Sequence, residues 1–301
     1  GLFMSKLFDF SGRESNERAL QNTWAEFRQQ LADGKFKYNE VEKAMHSTFL
    51  RVFDDLFQHG HRFLEKTVAE TLSTDISIVR AARIKPGDPE PNYDRFIPNA
   101  KFITSDNRFS PPGVEWLYLA FAKESSSPEY KIEEQCALKE CRATTGDRFA
   151  LCNFQVGAEH KDGILIDLTI AKKSNYEDIN ALLEQCGKQI VDREITKGYV
   201  CGLTKGVIPK PRTEDIVPAI EKWAVFTYAK LLAEQIFVPI TTEDKNLMYA
   251  PFQCIAQYFL SKGYGGIVYS STVFPEGKNV VLFDKIAAHP YGAIRQIVID
   301  F

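Results

Sequence analysis

The chain has 301 residues, of which 44% are hydrophobic and 26% charged, a composition that is typical of globular proteins and excludes an intrinsically disordered chain. The net charge of -3 gives no basic footprint, so we expect neither nucleic acid nor an anionic membrane as a partner. No apolar run reaches the length of a membrane-spanning helix, and the length allows one large domain or two smaller ones.

The cysteines and histidines lack the spacing of metal ligands. The six cysteines form no CxxC pair, and the five histidines form no HExxH arrangement. We therefore expect no metal site. Scattered cysteines in a chain of this size are typical of small buried side chains, which favours a reducing, cytoplasmic site of action. The N-terminal residues lack the pattern of a signal peptide, and the sequence does not indicate a delivery route.

The N-terminal region has helical periodicity. Apolar residues recur at helical spacing over residues 15–33, and Gly34 is placed to end this helix. A second, longer helix is predicted from about Asn39 until His59-Gly60-His61 interrupts its apolar stripe. Residues 1–74 are therefore predicted to form a helical N-terminal region.

The remainder, residues 75–301, is predicted as one domain in which strands and helices are mixed. Strands are predicted at residues 76–84, 117–121, 149–156, 163–170, 266–269 and 279–283. Helices are predicted at residues 176–192, 213–236 and 251–262. This order predicts an α+β fold with a mixed β-sheet core, a helical N-terminal extension and a helical insertion, rather than a doubly wound parallel sheet.

Four side chains are candidates for chemistry. Arg108 precedes a Pro-Pro-Gly turn and can bind phosphate from there, although a single arginine is more often in a surface ion pair. Tyr118 lies in an apolar strand, where most tyrosines are core residues. Glu140 is expected in a partly buried helix, where glutamate is rare unless it is paired. Ser271 lies at a strand end without a GxSxG elbow, so its hydroxyl is expected to hydrogen-bond rather than attack.

Several short segments occur in an order that is typical of one family. They are Val79-Arg-Ala-Ala-Arg-Ile84, Asn107-Arg-Phe-Ser-Pro-Pro-Gly113, Leu117-Tyr-Leu-Ala120, Glu134-Gln-Cys-Ala-Leu-Lys-Glu140, Asp167-Leu-Thr169, Tyr249-Ala-Pro-Phe-Gln253, Gly266-Ile-Val-Tyr-Ser-Ser271 and Asn279-Val-Val-Leu-Phe283. Together they resemble the RES domain family, which is named for its Arg, Glu and Ser. The first segment has one residue more than the family pattern, so either Arg80 or Arg83 takes the place of the first arginine, and we prefer Arg80.

The resemblance implies a fold like that of ADP-ribosyltransferases and an activity on NAD. The implied reaction is cleavage of the bond between nicotinamide and ribose, by an NAD glycohydrolase or an NAD phosphorylase. NAD is then the substrate, and no further cofactor is implied. Many members of the family are bacterial toxins or effectors that deplete NAD, so a cognate antitoxin or immunity protein is an expected partner.

The resemblance also implies roles for the candidate residues. Glu140 would stabilise the cationic ribose or orient the acceptor, and Ser271 would hydrogen-bond the ribose or the carboxamide. Arg108 and Arg80 would bind the pyrophosphate or ribose side of NAD, and Tyr118 would stack on the nicotinamide.

Alternative functions remain open on the sequence. A protein ADP-ribosyltransferase would have the same fold and a different acceptor. A binding module with a catalytically inactive core belongs to another class of function. Such a module would not consume NAD, whereas an enzyme of either kind would. An RNase site would need a shorter spacing than that between Arg51 and His59.

Overall fold

The computed structural model describes residues 13–126, 131–170 and 245–301, together with Glu184, Lys188, Val217, Lys230 and Glu234. The chain divides into two compact units. The first comprises residues 1–27, 45–63 and 170–232, and the second comprises residues 28–44, 64–169 and 233–301. The predicted boundary near residue 74 stays a prediction.

The N-terminal helices are organised around aromatic side chains. Helix α1 spans Arg13–Ala32, as predicted. The predicted second helix is two helices, α2 (Val41–Ala44) and α3 (Thr48–Gly60). The break lies at Ser47, whose Oγ accepts a hydrogen bond from the Leu50 amide at 3.3 Å and so caps the start of α3. In the first unit the rings of Trp24 and Phe49 lie 4.9 Å apart, so an aromatic cluster forms the described core of this unit.

The second unit contains an eight-stranded sheet. Its strands are β1 (Glu65–Thr67), β2 (Ile76–Ile84), β3 (Leu117–Lys123), β4 (Arg148–Val156), β5 (Ile164–Asp167), β6 (Gly266–Ser270), β7 (Lys278–Leu282) and β8 (Ala288–Val298). The order across the sheet is β1-β5-β6-β7-β3-β2-β4-β8. Only β5 and β6 pair in parallel; the other neighbours are antiparallel.

Within the three continuous described ranges, the second unit has three further helices: α4 (Val68–Thr71), α5 (Ile132–Glu140) and α6 (Lys245–Ser261). Short 3-10 turns in the chain lie at His61–Phe63, Tyr93–Phe96, Ala100–Phe102 and Ala158–His160. Alternate residues of a strand face opposite sides of a sheet. Leu117 and Leu119 of β3 therefore join one core cluster, whereas Ala120 joins a second cluster with Cys136 and Leu138 of α5. Helix α5 thus covers one face of the central strands.

The structure confirms the α+β class and differs from the predicted elements in several places. Strand β8 was not predicted, because Pro290 and Gly292 argue against a strand in sequence, whereas an edge strand tolerates both. Strand β1 lies in the segment predicted to be helical. Strand β5 ends at Asp167, whose Oδ1 accepts the amide of Thr169 at 2.9 Å and turns the chain.

The last helix also starts earlier than predicted. The sequence predicts a start at about Pro251, yet Pro251 lies inside α6, which begins at Lys245. Of the predicted helices at residues 176–192 and 213–236, only Glu184, Lys188, Val217, Lys230 and Glu234 are described, and these five residues are helical. The rest of both segments lies outside the described residues. Within the described ranges, no helix is both long enough and apolar enough to cross a membrane.

Candidate active site

Glu140 is the last residue of α5, and its side chain is exposed rather than partly buried as predicted. The helix ends here because Arg142 has a positive φ of 56°, and the amides of Cys141 and Ala143 both donate to the carbonyl of Leu138 at 3.1 Å. The buried glutamates of α5 are instead Glu133 and Glu134, in its first turn. The position at the helix end projects the Glu140 carboxylate beyond the packed face of α5.

The structure brings Glu140 and Ser271 together, although 131 positions separate them in sequence. The Ser271 hydroxyl donates to Oε1 of Glu140 at 2.6 Å. The side-chain amide of Asn279 donates to the same oxygen at 2.8 Å. Ser271 directly follows β6 and Asn279 lies in β7, so two neighbouring strands hold one carboxylate oxygen. Among the described residues, none donates a hydrogen bond to the other oxygen, Oε2.

The turn after β6 fixes the hydroxyl of Ser271. Its Oγ accepts hydrogen bonds from the amides of Val273 and Phe274, at 3.3 and 3.1 Å. The Ser271 amide in turn donates to the carbonyl of Gly277 at 3.0 Å. A hydroxyl has one donor and two acceptor positions, and all three are in use. Ser271 therefore has no hydrogen-bonding capacity left in this arrangement.

Arg108 lies next to the same turn. Its Nη2 donates to Oγ1 of Thr272 at 3.0 Å, and its guanidinium carbon lies 5.8 Å from the centre of the Tyr249 ring. Gln253 holds the segment before Arg108, because its Nε2 donates to the side chain of Asp106 at 3.0 Å and to the carbonyl of Asn107 at 3.1 Å. Tyr249 and Gln253 are one helical turn apart on α6 and share a face.

Tyr118 contributes both a hydroxyl and a ring to this region. Its hydroxyl shares a 2.7 Å hydrogen bond with Oγ of Ser110 and accepts the amide of Phe109 at 3.3 Å. Burial raises the pKa of the Tyr118 phenol far above its ordinary value, so the hydroxyl stays neutral. The hydroxyl thus anchors the loop that carries Arg108.

Tyr269 is a site residue that the sequence did not single out. It is buried in β6, two positions before Ser271, and its ring lies 5.0 Å from that of Phe109. Burial raises the pKa of Tyr269 well above its ordinary value, and the nearby charge of Glu140 raises it further. Its place in the Gly266-Ile-Val-Tyr-Ser-Ser271 segment was the only available signal. Thr272 directly follows the same segment and Asn279 begins the next one, but the sequence did not indicate either residue as part of a site.

The two alternatives for the first arginine have different surroundings. Arg83 forms an ion pair with Asp147 at 2.9 Å and donates to the carbonyl of Cys141 at 3.0 Å. Arg80 donates to the carbonyl of Tyr118 at 3.0 Å, and within the described part of the chain it has no ion pair. Burial lowers the pKa of Arg80 from its ordinary value, as expected for a cation removed from water without a counter-charge. The choice of Arg80 as the first arginine stays a prediction.

This arrangement combines a carboxylate, guanidinium groups and tyrosines. Within the described residues, the hydrogen bonds to Glu140 come from neutral side chains and reach Oε1 alone. Arg108 donates a hydrogen bond to Thr272, the residue that follows Ser271 in the same turn. In the three described ranges, no group of His, Cys, Asp or Glu has the arrangement of a metal site. The chemistry available from the described residues is stabilisation of a cation beside recognition of an anion.

Comparison with protein families gives one match. The RES domain model matches residues 214–299, which confirms the predicted resemblance over that part of the chain. The matched stretch contains Tyr249, Gln253, Tyr269, Ser271 and Asn279, whereas Arg108, Tyr118 and Glu140 precede it. Searches among curated proteins and among solved structures found no match.

Proposed function

We propose that this protein cleaves the bond between nicotinamide and ribose in NAD, as an NAD glycohydrolase or an NAD phosphorylase with an ADP-ribosyltransferase-like core. The observation that carries the proposal is the carboxylate of Glu140, held on Oε1 by Ser271 and Asn279 and placed near Arg108 through the Ser271-Thr272 turn. The RES domain match over residues 214–299 is consistent with an NAD-related role.

Glu140 suits the electronic demand of this reaction. The bond between C1′ and the nicotinamide nitrogen breaks with its electron pair on nitrogen, so nicotinamide leaves neutral and needs no general acid. The ribose acquires the positive charge of an oxocarbenium ion, which a fixed carboxylate stabilises. Water or phosphate then adds to C1′ through oxygen, and the proton that water releases passes to the solvent. Oε2 of Glu140 is the oxygen placed to meet the ribose or the acceptor.

Arg108 and Arg80 suit the anionic part of NAD. A guanidinium binds phosphate oxygens through charge-assisted hydrogen bonds, often two at once. Both arginines connect to Tyr118, since Arg80 donates to its carbonyl and the Arg108 loop is bonded to its hydroxyl. If these two arginines bind the diphosphate, the nicotinamide ribose of the same NAD molecule would lie next to Glu140.

The role proposed for Ser271 differs from the expected one, whereas the role proposed for the ring of Tyr118 is the expected one. We propose that Ser271 positions Glu140 rather than contacting the ribose, because its donor and both acceptor positions are already in use. Tyr118 keeps its ring for stacking on nicotinamide while its hydroxyl is bonded to Ser110. Tyr269 adds a second phenol beside Glu140.

Product analysis tests this proposal and identifies the acceptor. Purified protein is incubated with NAD, with and without inorganic phosphate, and the products are identified by mass spectrometry. Free ADP-ribose indicates a glycohydrolase, and ADP-ribose 1″-phosphate formed only with phosphate indicates a phosphorylase. Label retained on a protein after incubation with labelled NAD indicates the alternative ADP-ribosyltransferase. If NAD is not consumed with any acceptor, the proposal is wrong and the binding-module alternative is favoured.

The same resemblance leads us to propose that the biological outcome is depletion of NAD and that a cognate antitoxin or immunity protein restrains it. We expect growth arrest when the wild-type chain is produced in a bacterial host, together with a fall in cellular NAD. The Glu140→Gln variant, produced at the same level, is the matched control and should leave both growth and NAD unchanged.

A further inference from the structure

Asn279 connects the candidate carboxylate to a buried thiol. Its Nδ2 donates to Oε1 of Glu140 at 2.8 Å, and its Oδ1 accepts a hydrogen bond from Sγ of Cys136 at 3.3 Å. We infer that Cys136 and Asn279 form a positioning relay, in which the thiol fixes the side-chain amide and the amide fixes the carboxylate of Glu140. This inference rests on the proposed function for its catalytic meaning, but the relay itself can be measured without NAD.

Only one orientation of the Asn279 amide satisfies both neighbours. A carboxylate accepts hydrogen bonds and cannot donate them, so the amide nitrogen must face Glu140. The amide oxygen then faces Cys136, whose thiol can donate. The reversed amide would bring its oxygen against Oε1 of Glu140, where two acceptors repel each other. The thiol therefore contributes the donor that the correct orientation requires.

The thiol stays protonated, as a donor must. Burial raises the pKa of Cys136 to about 12, and the nearby charge of Glu140 raises it as well. Cys136 is fully buried, and Gly277 closes over it: a Cβ at Gly277 would lie 2.4 Å from Sγ. The thiol of Cys136 is therefore protonated at neutral pH and can donate its hydrogen bond to Asn279.

The relay connects the side chain of Glu140 to its own helix and to a central strand of the sheet. Cys136 and Glu140 lie one turn apart on α5, so they share a face of the helix. Asn279 lies in the middle of the sheet, opposite Ala120 of β3 and Tyr269 of β6. Ser271, in contrast, lies on a turn. A group held by rigid elements is positioned more accurately than one held by a loop, so Asn279 supplies the accurate contact.

Activity should fall through kcat rather than KM when the relay is cut. We expect Cys136→Ala to lower kcat about tenfold and Asn279→Ala about a hundredfold, with KM within about twofold of the wild-type value in both, since neither residue contacts NAD. Cys136→Ser keeps a donor and should recover most of the loss. Cys152→Ala is the matched control, because Cys152 is an equally buried thiol whose hydrogen bonds go to the carbonyls of Asn153 and Tyr291.

The side-chain amide of Asn279 reports on the relay directly in a proton–nitrogen NMR spectrum. Its resonances are assigned by their loss in Asn279→Asp. We expect them to move in Cys136→Ala, and also in Glu140→Gln, which alters an exposed side chain and should fold normally. In Cys152→Ala they should remain at the wild-type position.

The outcomes separate the relay from the proposed function. Asn279 amide resonances that stay in place in both Cys136→Ala and Glu140→Gln would overturn the relay. Resonances that respond as expected, in a protein that releases no nicotinamide from NAD, would support the relay and contradict the proposed function. Loss of kcat in Cys152→Ala equal to that in Cys136→Ala would show a general effect of buried cavities, and it would also overturn the relay.

Discussion

Helix α5 carries glutamates at both ends, and their surroundings are opposite. In the first turn Glu133 and Glu134 are 1% and 7% exposed, and Glu134 forms an ion pair with Arg295 of β8. Arg295 also donates to Oδ1 of Asn153 at 3.0 Å, so this carboxylate belongs to a network that ties the helix to the sheet. At the last residue, Glu140 is exposed and receives hydrogen bonds from the neutral side chains of Ser271 and Asn279.

The difference separates a structural carboxylate from one that can act on a ligand. An arginine compensates the charge of a buried carboxylate, and the pair then contributes chiefly to the fold. Neutral donors orient a carboxylate without compensating its charge, which remains available to a developing cation. Burial alone was therefore a misleading criterion on this helix, since the buried Glu134 is held in an ion pair and the exposed Glu140 lies in the candidate site.

The largest expected effect comes from exchanging carboxylate for amide at the two ends of α5. Glu140→Gln should lower nicotinamide release by about 10³-fold or more, because it removes the charge that faces the ribose cation. Glu134→Gln should keep kcat within a few-fold and lower the free energy of unfolding by about 1–3 kcal/mol, since Arg295 is partly exposed and water compensates part of the loss. Chromatographic assay of nicotinamide and urea unfolding measure the two effects. Equal loss of activity in both variants would contradict the comparison.

A second comparison sets Arg108 beside Arg83. Arg108→Ala should raise KM for NAD about 10- to 100-fold, which corresponds to the loss of a charge-assisted interaction. Arg83→Ala is the matched variant, because Arg83 already pairs with Asp147 at 2.9 Å. It should leave KM unchanged and cost about 1 kcal/mol of stability or less. Steady-state kinetics decides the matter; a raised KM in Arg83→Ala would transfer the role of the first arginine from Arg80 to Arg83.

Gly277→Ala should loosen the end of α5 that holds Glu140. The added Cβ would lie 2.4 Å from Sγ of Cys136, so the turn that carries Ser271 must shift. We expect a loss of about 1–3 kcal/mol in the free energy of unfolding and a fall in kcat of about tenfold. Gly265→Ala is the control, because its Cβ would meet its closest neighbour at 3.7 Å. Wild-type activity and stability in Gly277→Ala would show that the turn does not constrain the carboxylate.

The smallest effect is expected at Tyr118, where the hydroxyl and the ring can be separated. Tyr118→Phe removes the bonds to Ser110 and Phe109, and should cost about 1–2 kcal/mol of stability with KM within about threefold of wild type. Tyr118→Leu also removes the ring and should raise KM further. Thermal unfolding and kinetics of the two variants test this; equal KM values would remove the ring from the binding of nicotinamide.

The apolar strands of the sheet could be predicted from sequence, and the irregular ones could not. Strands β2, β3 and β4 were predicted because their short apolar runs are typical of buried strands. Strand β8 contains Pro290 and Gly292 and is stabilised by pairing with β4, a long-range interaction that local periodicity does not contain. The break before α3 depends on the single hydrogen bond accepted by Ser47.

The site shows the same division between local and long-range information. The order of the motif segments pointed to Arg108, Glu140 and Ser271, and the structure brings Glu140 and Ser271 into contact. The contacts of Asn279 with Glu140 and Cys136 span 139 and 143 positions, so no local pattern reveals them. Glu140 was expected in a partly buried helix, whereas it is the last residue of α5 and its side chain is exposed, because the left-handed Arg142 ends the helix there.

The central claim is that Glu140 and Arg108 face the two ends of one NAD molecule. A crystal structure of the Glu140→Gln variant with NAD tests it most directly, because this variant should bind NAD without cleaving it. We expect C1′ of the nicotinamide ribose next to the side chain of Gln at position 140, and the diphosphate next to Arg108. NAD bound elsewhere on the protein, or no binding at saturating NAD, would contradict the account.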